Sequence, residues 1–221
     1  MSRWPPLLGV IAFLGFDVVI RCTLTRRRYG TWGVTLFRDR QSGQLFRDSM
    51  GVVLCLVMFA QASMVALRPR SWDSSFVFHP PGWIGAVLML AGVAAIFLAQ
   101  GHLGALWRMG IDESAPLRLV TGGAYRFCRN PIFSAMLVTI LGFTLMVPTW
   151  TSLVMLVGAA IGIRSQVRAE ERYLIQTRGE SYRQYARDVG GSCRGSADSG
   201  DVVGSNFSAA PSVGSGFNGL Q

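Results

Sequence analysis

Apolar residues lie in four long runs that are separated by polar segments containing arginine. Three of the runs, Trp4–Ile20, Met50–Leu67 and Trp83–Ala99, approach the ~20 residues that a helix needs to cross a bilayer. The fourth, Ile132–Ile163, is too long for one span and is interrupted by Pro148, which breaks a helix interior. The pattern predicts an all-α, polytopic membrane protein with about five transmembrane helices. The last two are expected to form a helical hairpin, followed by a helical segment on the cytoplasmic side.

Composition supports a membrane protein and argues against a metal centre. Half of the 221 residues are hydrophobic and 15% are charged, which is too apolar for an ordinary soluble domain. The four cysteines show no paired spacing, and two histidines do not make a conventional zinc cluster. No metal is therefore expected as a cofactor.

The arginines predict the orientation of the chain in the membrane. Eighteen of the 21 basic residues, all arginine, fall in the first loop, the third loop and the segment after the last span. Because cytoplasmic segments carry the excess of basic residues, the amino terminus is predicted outside and the carboxyl terminus inside. The first loop mixes arginine with aromatic residues, which favours membrane lipids rather than nucleic acid as its partner.

Two parts are predicted along the chain. Residues 1–189 form a transmembrane domain whose polar chemistry lies between residues 101 and 189. Residues 190–221 are rich in glycine and serine without apolar periodicity, and a disordered tail is expected there.

The first candidate for chemistry is the segment GGAYRFCRNPIF in the third loop. Gly122 and Gly123 make a flexible turn in which backbone can approach a ligand closely. Asn130 and Pro131 are typical of a helix start, whose free backbone donors suit a carboxylate or phosphate. The segment also carries Arg126 and Arg129. These arginines add positive charge at the helix start, or they anchor the helix to lipid headgroups.

The second candidate is the segment that leaves the last span, with Glu170 and Glu171 side by side. Adjacent side chains on a helix point about 100° apart, so the two carboxylates need not do the same work. One could pair with Arg168 or with a loop arginine, while the other accepts hydrogen bonds from ligand hydroxyls. The alternative is a solvated helix face, since Arg164, Arg168 and Arg172 recur every fourth residue.

Together the two segments resemble the paired signature of the isoprenylcysteine carboxyl methyltransferase and phospholipid methyltransferase superfamily of integral membrane enzymes. The resemblance spans roughly residues 101–189 and implies a methyltransferase that uses S-adenosyl-L-methionine, in a bacterial-type inner membrane with the active site cytoplasmic. It implies catalytic roles for Arg129 and Asn130. The implied donor-binding residues are Gly122, Gly123, Tyr125, Arg126, Arg129, Pro131, Phe133, Glu170 and Glu171. Three positions depart from the family pattern: Ala124 replaces proline, Asn130 replaces histidine and Phe133 replaces tyrosine. Asn130 cannot titrate, which excludes general-base chemistry at that position.

The methyl acceptor is expected to be a lipid-like or prenylated small molecule, and a carboxylate acceptor is favoured because it is already ionised. An amine acceptor is the alternative. Candidate acceptor residues are Asp17, Gln61, His102 and Arg108. Three of these have structural alternatives: an Asp17–Arg21 ion pair, an interhelical hydrogen bond of Gln61, and interfacial packing of His102.

Two other classes compete with the methyltransferase. A membrane reductase on a related scaffold would hold NADPH on the same arginines. A non-catalytic scaffold protein would retain the fold without the chemistry, and the change to Asn130 is the main argument for it. The oligomeric state is not predicted.

Overall fold

The computed structural model describes residues 3–34, 36–37, 42–67, 80–107 and 119–189. The predicted tail (190–221) and Arg108 lie outside these residues, so both remain expectations.

Six helices account for most of the described chain, which confirms the all-α prediction. They are α1 (Pro5–Tyr29), α2 (Ser42–Leu67), α3 (Gly82–Leu103), α4 (Pro131–Met146), α5 (Trp150–Arg178) and α6 (Glu180–Asp188). Short 3₁₀ turns follow α3 at Gly104–Leu106 and precede α4 at Gly123–Arg126.

Four of these helices are long and apolar enough to cross a membrane: α1, α2, α3 and α5. Their outward faces carry many large exposed apolar side chains, such as Leu8, Leu56, Leu90 and Val154. Such surfaces are expected against lipid. Helix α4 has 16 residues, about 24 Å of helix, which is shorter than the ~30 Å hydrocarbon layer.

The first helix is longer than the apolar run that predicted it. Helix α1 continues past Ile20 to Tyr29, so Arg21 and the arginines at 26–28 belong to the helix and not to the first loop. Its middle section, Leu14–Ile20, is π-helical, and the backbone N–H of Arg21 donates to the carbonyl of Phe16, five residues earlier. The first helix therefore carries an irregular section around Asp17.

The predicted hairpin is confirmed. Helix α4 ends at Met146 and α5 begins at Trp150, with Pro148 in the turn between them. The hydroxyl of Thr149 caps α5 by accepting the backbone N–H of Ser152 at 3.2 Å. Because α5 continues without a break to Arg178, it carries Glu170 and Glu171 back toward the start of α4.

Small residues let α3 and α4 pack closely along their length. A Cβ atom on Gly85 would lie 2.6 Å from the carbonyl oxygen of Gly142, and one on Gly92 would collide with the hydroxyl of Thr139. Close backbone approach of this kind is the usual way in which membrane helices associate. A core that includes Met58, Met89, Phe143 and Met155 fills the space between the helices.

Helix α6 packs under the end of α5 through a second, smaller cluster. Tyr182, Tyr185 and Val189 are buried there, with Leu119 and Leu174 against them. The cluster joins the carboxyl-terminal helix to the chain segment just before the GGAYRFCRNPIF stretch.

Candidate functional site

The two signature segments meet in an ion pair. The guanidinium of Arg129 lies 3.3 Å from the carboxylate of Glu171, and these side chains are 21% and 25% exposed. The interpretation that one glutamate pairs with a loop arginine is confirmed, and the partner is Arg129. Arg164, Arg168 and Arg172 are exposed.

The start of α4 opens next to this pair. Asn130 is the N-cap residue and Pro131 the first helical residue, as predicted. The Asn130 side chain makes no capping hydrogen bond, however, and its buried Nδ2 has no partner in the described chain. The buried Nε of Arg129 is likewise unpaired there. Two donors and a helix amino terminus therefore converge, which is a favourable setting for an anionic group.

Glu170 and Glu171 have different surroundings, as the helical geometry predicted. Glu170 accepts a hydrogen bond from Nε2 of Gln166, one turn earlier, at 2.9 Å. The carboxylate also lies close enough to the phenol of Tyr125 to raise its pKa, although burial is the larger cause of that rise. Glu170 therefore faces the turn that precedes α4.

Two tyrosines of α6 contact the residues of the site. The hydroxyl of Tyr185 donates a buried hydrogen bond of 2.7 Å to the backbone oxygen of Tyr125. Burial raises the pKa of Tyr182 to about 12, with Glu171 adding to the rise and Arg129 opposing it. The phenol of Tyr182 thus stays protonated at neutral pH beside the Arg129–Glu171 pair.

Arg126 does not share the surroundings of Arg129, in contrast to the sequence interpretation. It is exposed and lines an open cavity of about 380 Å³ between the loop and α6, together with Ser181, Gln184 and Asp188. Neither Arg129 nor the two glutamates line that cavity. Its volume would hold a small molecule, but the unpaired donors and the ion pair lie elsewhere, and we place the candidate site with them.

The two glycines of the turn also differ. Gly123 has φ of +62°, and a Cβ atom there would collide with the imidazole of His102. Gly122 has φ of −97° and open space around it. The glycine at 123 is therefore explained by backbone conformation and by His102, which packs on the turn, whereas Gly122 leaves room for a ligand.

The remaining first-turn residues of α4, Pro131 and Phe133, are half-buried. Gln61 lies far from them. Its side-chain oxygen accepts a hydrogen bond from the Ser152 hydroxyl at 3.0 Å, beside the hairpin turn. The length of α4, about 24 Å, separates that turn from Asn130. Gln61 thus makes the interhelical hydrogen bond that was the alternative to an acceptor role.

Asp17 is buried between α1 and α3, and the anticipated ion pair with Arg21 is not formed. The guanidinium of Arg21 instead donates to the backbone oxygens of Gln100 (2.7 Å) and Gly104 (3.1 Å). It also lies over the ring of Trp107. Arg21 therefore caps the carboxyl-terminal carbonyls of α3.

The comparison with protein families bears on the same part of the chain. Residues 81–181, which contain both signature segments, match the model for phospholipid methyltransferase. This match agrees with the resemblance that the two signature segments suggested.

A curated relative extends the similarity beyond the family segment. The chain is 30% identical over 145 residues to the cobalt-zinc-cadmium resistance protein CzcN of Cupriavidus metallidurans. The match covers 65% of this chain and 62% of that protein, so less than two thirds of the relative is represented.

Sequence reasoning missed three residues of the site: Gln166, Tyr182 and Tyr185. Gln166 precedes Glu170 by four residues, a spacing at which helical side chains meet. The tyrosines are three apart on α6, where both fall on its buried side. These spacings were readable, but their role depends on which loop α6 covers.

Proposed function

We propose that the protein is an S-adenosyl-L-methionine-dependent methyltransferase that acts on a lipophilic acceptor. The observation that carries the proposal is the convergence of Arg129, Asn130 and Glu171 at the open end of α4. The match of residues 81–181 to the phospholipid methyltransferase model supports the same reaction.

The donor molecule has a carboxylate, an amine and a ribose diol, and the site offers a match for each. The unpaired donors of Arg129 and Asn130 suit its carboxylate. Glu170 and Glu171 suit the amine or the diol, since both carboxylates accept hydrogen bonds. Tyr125 and Phe133 are the aromatic candidates for contact with adenine or the sulfonium.

The chain's own contribution to catalysis is then positioning. Methyl transfer from a sulfonium disperses positive charge as the new bond forms, so the site must hold donor and acceptor in line and exclude water. Asn130 would orient the donor but would not move a proton.

For the acceptor, the sequence resemblance favours a carboxylate, with an amine as the alternative. The apolar outer faces of the helices suit an acceptor that arrives through the bilayer. The arginine distribution supports a site on the cytoplasmic side, where the polar donor is available. A cytoplasm-active reporter fused to the carboxyl terminus should be active, and an inactive fusion in a well-expressed protein would contradict that orientation.

Calorimetric titration of the purified protein with S-adenosylmethionine and, separately, NADPH tests the proposal. We expect saturable binding of S-adenosylmethionine that Glu171→Gln weakens at least tenfold. Glu180→Gln is the matched control, because Glu180 is an exposed glutamate on α6 whose carboxylate pairs with Arg187 at 2.6 Å, away from the site. Binding of NADPH alone would favour a reductase, and binding of neither would favour a non-catalytic scaffold.

A further inference from the structure

Asp17 is the most unusual buried group outside the donor site. Its side chain lies between α1 and α3 with 2% exposure, and neither carboxylate oxygen has a hydrogen-bond partner in the described part of the protein. An uncompensated carboxylate in an apolar interior costs several kcal/mol. Folding stability therefore gives no reason for an aspartate at this position.

The neighbouring side chains do not donate hydrogen bonds to the carboxylate of Asp17. The side-chain amide of Gln100 donates to the backbone oxygen of Asp17 at 3.1 Å, which leaves the carboxylate free. The Oε1 of Gln100 is itself buried without a partner among the described residues. The guanidinium of Arg21 is held by backbone carbonyls of α3, and its Nε is unpaired within the described residues. The two carboxylate oxygens of Asp17 and the Oε1 of Gln100 are thus three buried acceptors without a donor among the described residues.

The backbone around Asp17 is also irregular. Asp17 sits in the middle of the π-helical section Leu14–Ile20, the widened turn of α1. Such sections in otherwise regular helices occur frequently at functional sites. The irregularity and the unpaired carboxylate therefore coincide at one residue.

This region adjoins the donor site through α3 and the turn before α4. Gln100 is two residues before His102, whose imidazole packs on Gly123 of the turn. Arg21 and Tyr125 influence each other electrostatically, and Tyr125 in turn responds to Glu170. Asp17 is therefore linked to the turn beside the donor site through Gln100 and the end of α3.

We propose that Asp17 binds the polar head group of the methyl acceptor, and that this head group is a hydrogen-bond donor: an ammonium or a hydroxyl. The proton that the head group loses when its nitrogen or oxygen takes the methyl group passes to the Asp17 carboxylate. The proposal rests on the methyltransferase function above. Asp17 and Gln100 present oxygens that accept hydrogen bonds, whereas a carboxylate acceptor would bring a like charge against Asp17. Of the two acceptor groups that the sequence left open, Asp17 therefore disfavours the carboxylate.

A small apolar crevice lies one helical turn from Asp17. Phe13, four residues earlier on α1, lines a narrow crevice whose other walls come from α2 and α4. Those walls are apolar apart from one hydroxyl and one thiol: Gly51, Leu54, Cys55, Met58, Met136, Thr139 and Ile140.

The test measures binding of decylamine, decanol and decanoate to the full chain in neutral-lipid nanodiscs, with protein-free nanodiscs subtracted. We expect the amine or the alcohol to bind wild-type protein at least tenfold more tightly than decanoate does. Asp17→Asn should abolish that preference, and Asp17→Glu should retain part of it. Comparing the affinities for decylamine and decanol shows whether the preferred head group is an ammonium or a hydroxyl.

Asp48→Asn is the matched control on α2. Asp48 is also buried, but its carboxylate accepts hydrogen bonds from the backbone N–H of Phe37 (2.9 Å) and from Gln44 (2.7 Å). This variant should lose stability and keep the head-group preference. Asp17→Asn should melt no lower than wild type, because it removes an unmatched charge.

Calorimetry with S-adenosylmethionine separates this proposal from the proposed function. Asp17→Asn should bind S-adenosylmethionine as wild type does. If wild-type protein failed to bind S-adenosylmethionine, the methyltransferase proposal would fail, while the head-group preference would still report on Asp17. Decanoate bound as tightly as decylamine and decanol by wild type, or an unchanged preference in Asp17→Asn, would overturn the role of Asp17.

Discussion

Replacement of Arg129 by alanine tests the donor site at its best-defined contact. Arg129 pairs with Glu171 at 3.3 Å and keeps a buried Nε without a partner in the described chain. A hydrogen bond to a charged group contributes about 1.5–3 kcal/mol. Loss of one such contact to the donor carboxylate should therefore weaken binding of S-adenosylmethionine by about tenfold to about 150-fold.

The same change should affect stability much less than affinity. The Arg129–Glu171 pair is partly exposed, so water screens it and its loss should cost no more than about 1 kcal/mol. For a chain of this length that corresponds to a fall in Tm of about 2–4 °C. A variant that still melts near wild type and binds the donor poorly would locate the effect at the site.

Two further arginine variants make the measurement decisive. Arg172→Ala removes an exposed arginine near Glu171 whose guanidinium bonds only to the backbone of Arg168 among the described residues, and donor affinity should stay within about twofold. Arg126→Ala should weaken binding by less than about threefold, because Arg126 lines the separate cavity. Equal losses in Arg126→Ala and Arg129→Ala, or no loss in Arg129→Ala, would refute the placement of the donor.

Three other outcomes follow from the geometry. Gly123→Ala should lower Tm, because the position has φ of +62° and contacts an imidazole, whereas Gly122→Ala should leave Tm unchanged; equal melting of the two variants would contradict this. Tyr185→Phe should destabilise the protein by about 1–2 kcal/mol in denaturant titrations, since a buried carbonyl loses its 2.7 Å donor. The pKa of Tyr182 is raised to about 12, so its stabilising contribution is full below about pH 10 and is lost as the pH rises through about 12. The free energy of unfolding should fall less steeply between those pH values in Tyr182→Phe than in wild type, and parallel curves would argue against the shift.

The helical plan and the pairing of the two signature segments were predictable from local patterns. Apolar run length predicts spans, and Pro148 predicts the hairpin turn. Asn130 followed by Pro131 predicts where α4 begins. Once the hairpin is accepted, α5 runs back past the start of α4 and carries Glu171 to the same end of the hairpin as Arg129.

Other features depend on tertiary contacts that have no local signature. Arg126 and Arg129 are three residues apart, and their separation depends on the 3₁₀ turn Gly123–Arg126 and on the helix that packs under it. The Asp17–Arg21 spacing suggests an ion pair in a regular helix. The π-helical section and the carbonyls at the end of α3 draw Arg21 elsewhere. Gln61 meets Ser152 across 91 positions of sequence.

The most direct test of the central claim is transfer of a labelled methyl group. Membranes containing the protein are incubated with S-adenosylmethionine carrying a tritiated methyl group, and the organic-soluble fraction is extracted and counted. The account predicts label in that fraction with wild-type protein and with Glu180→Gln, and a loss of at least tenfold with Glu171→Gln. Label that is absent with wild-type protein, or undiminished in Glu171→Gln, would contradict it.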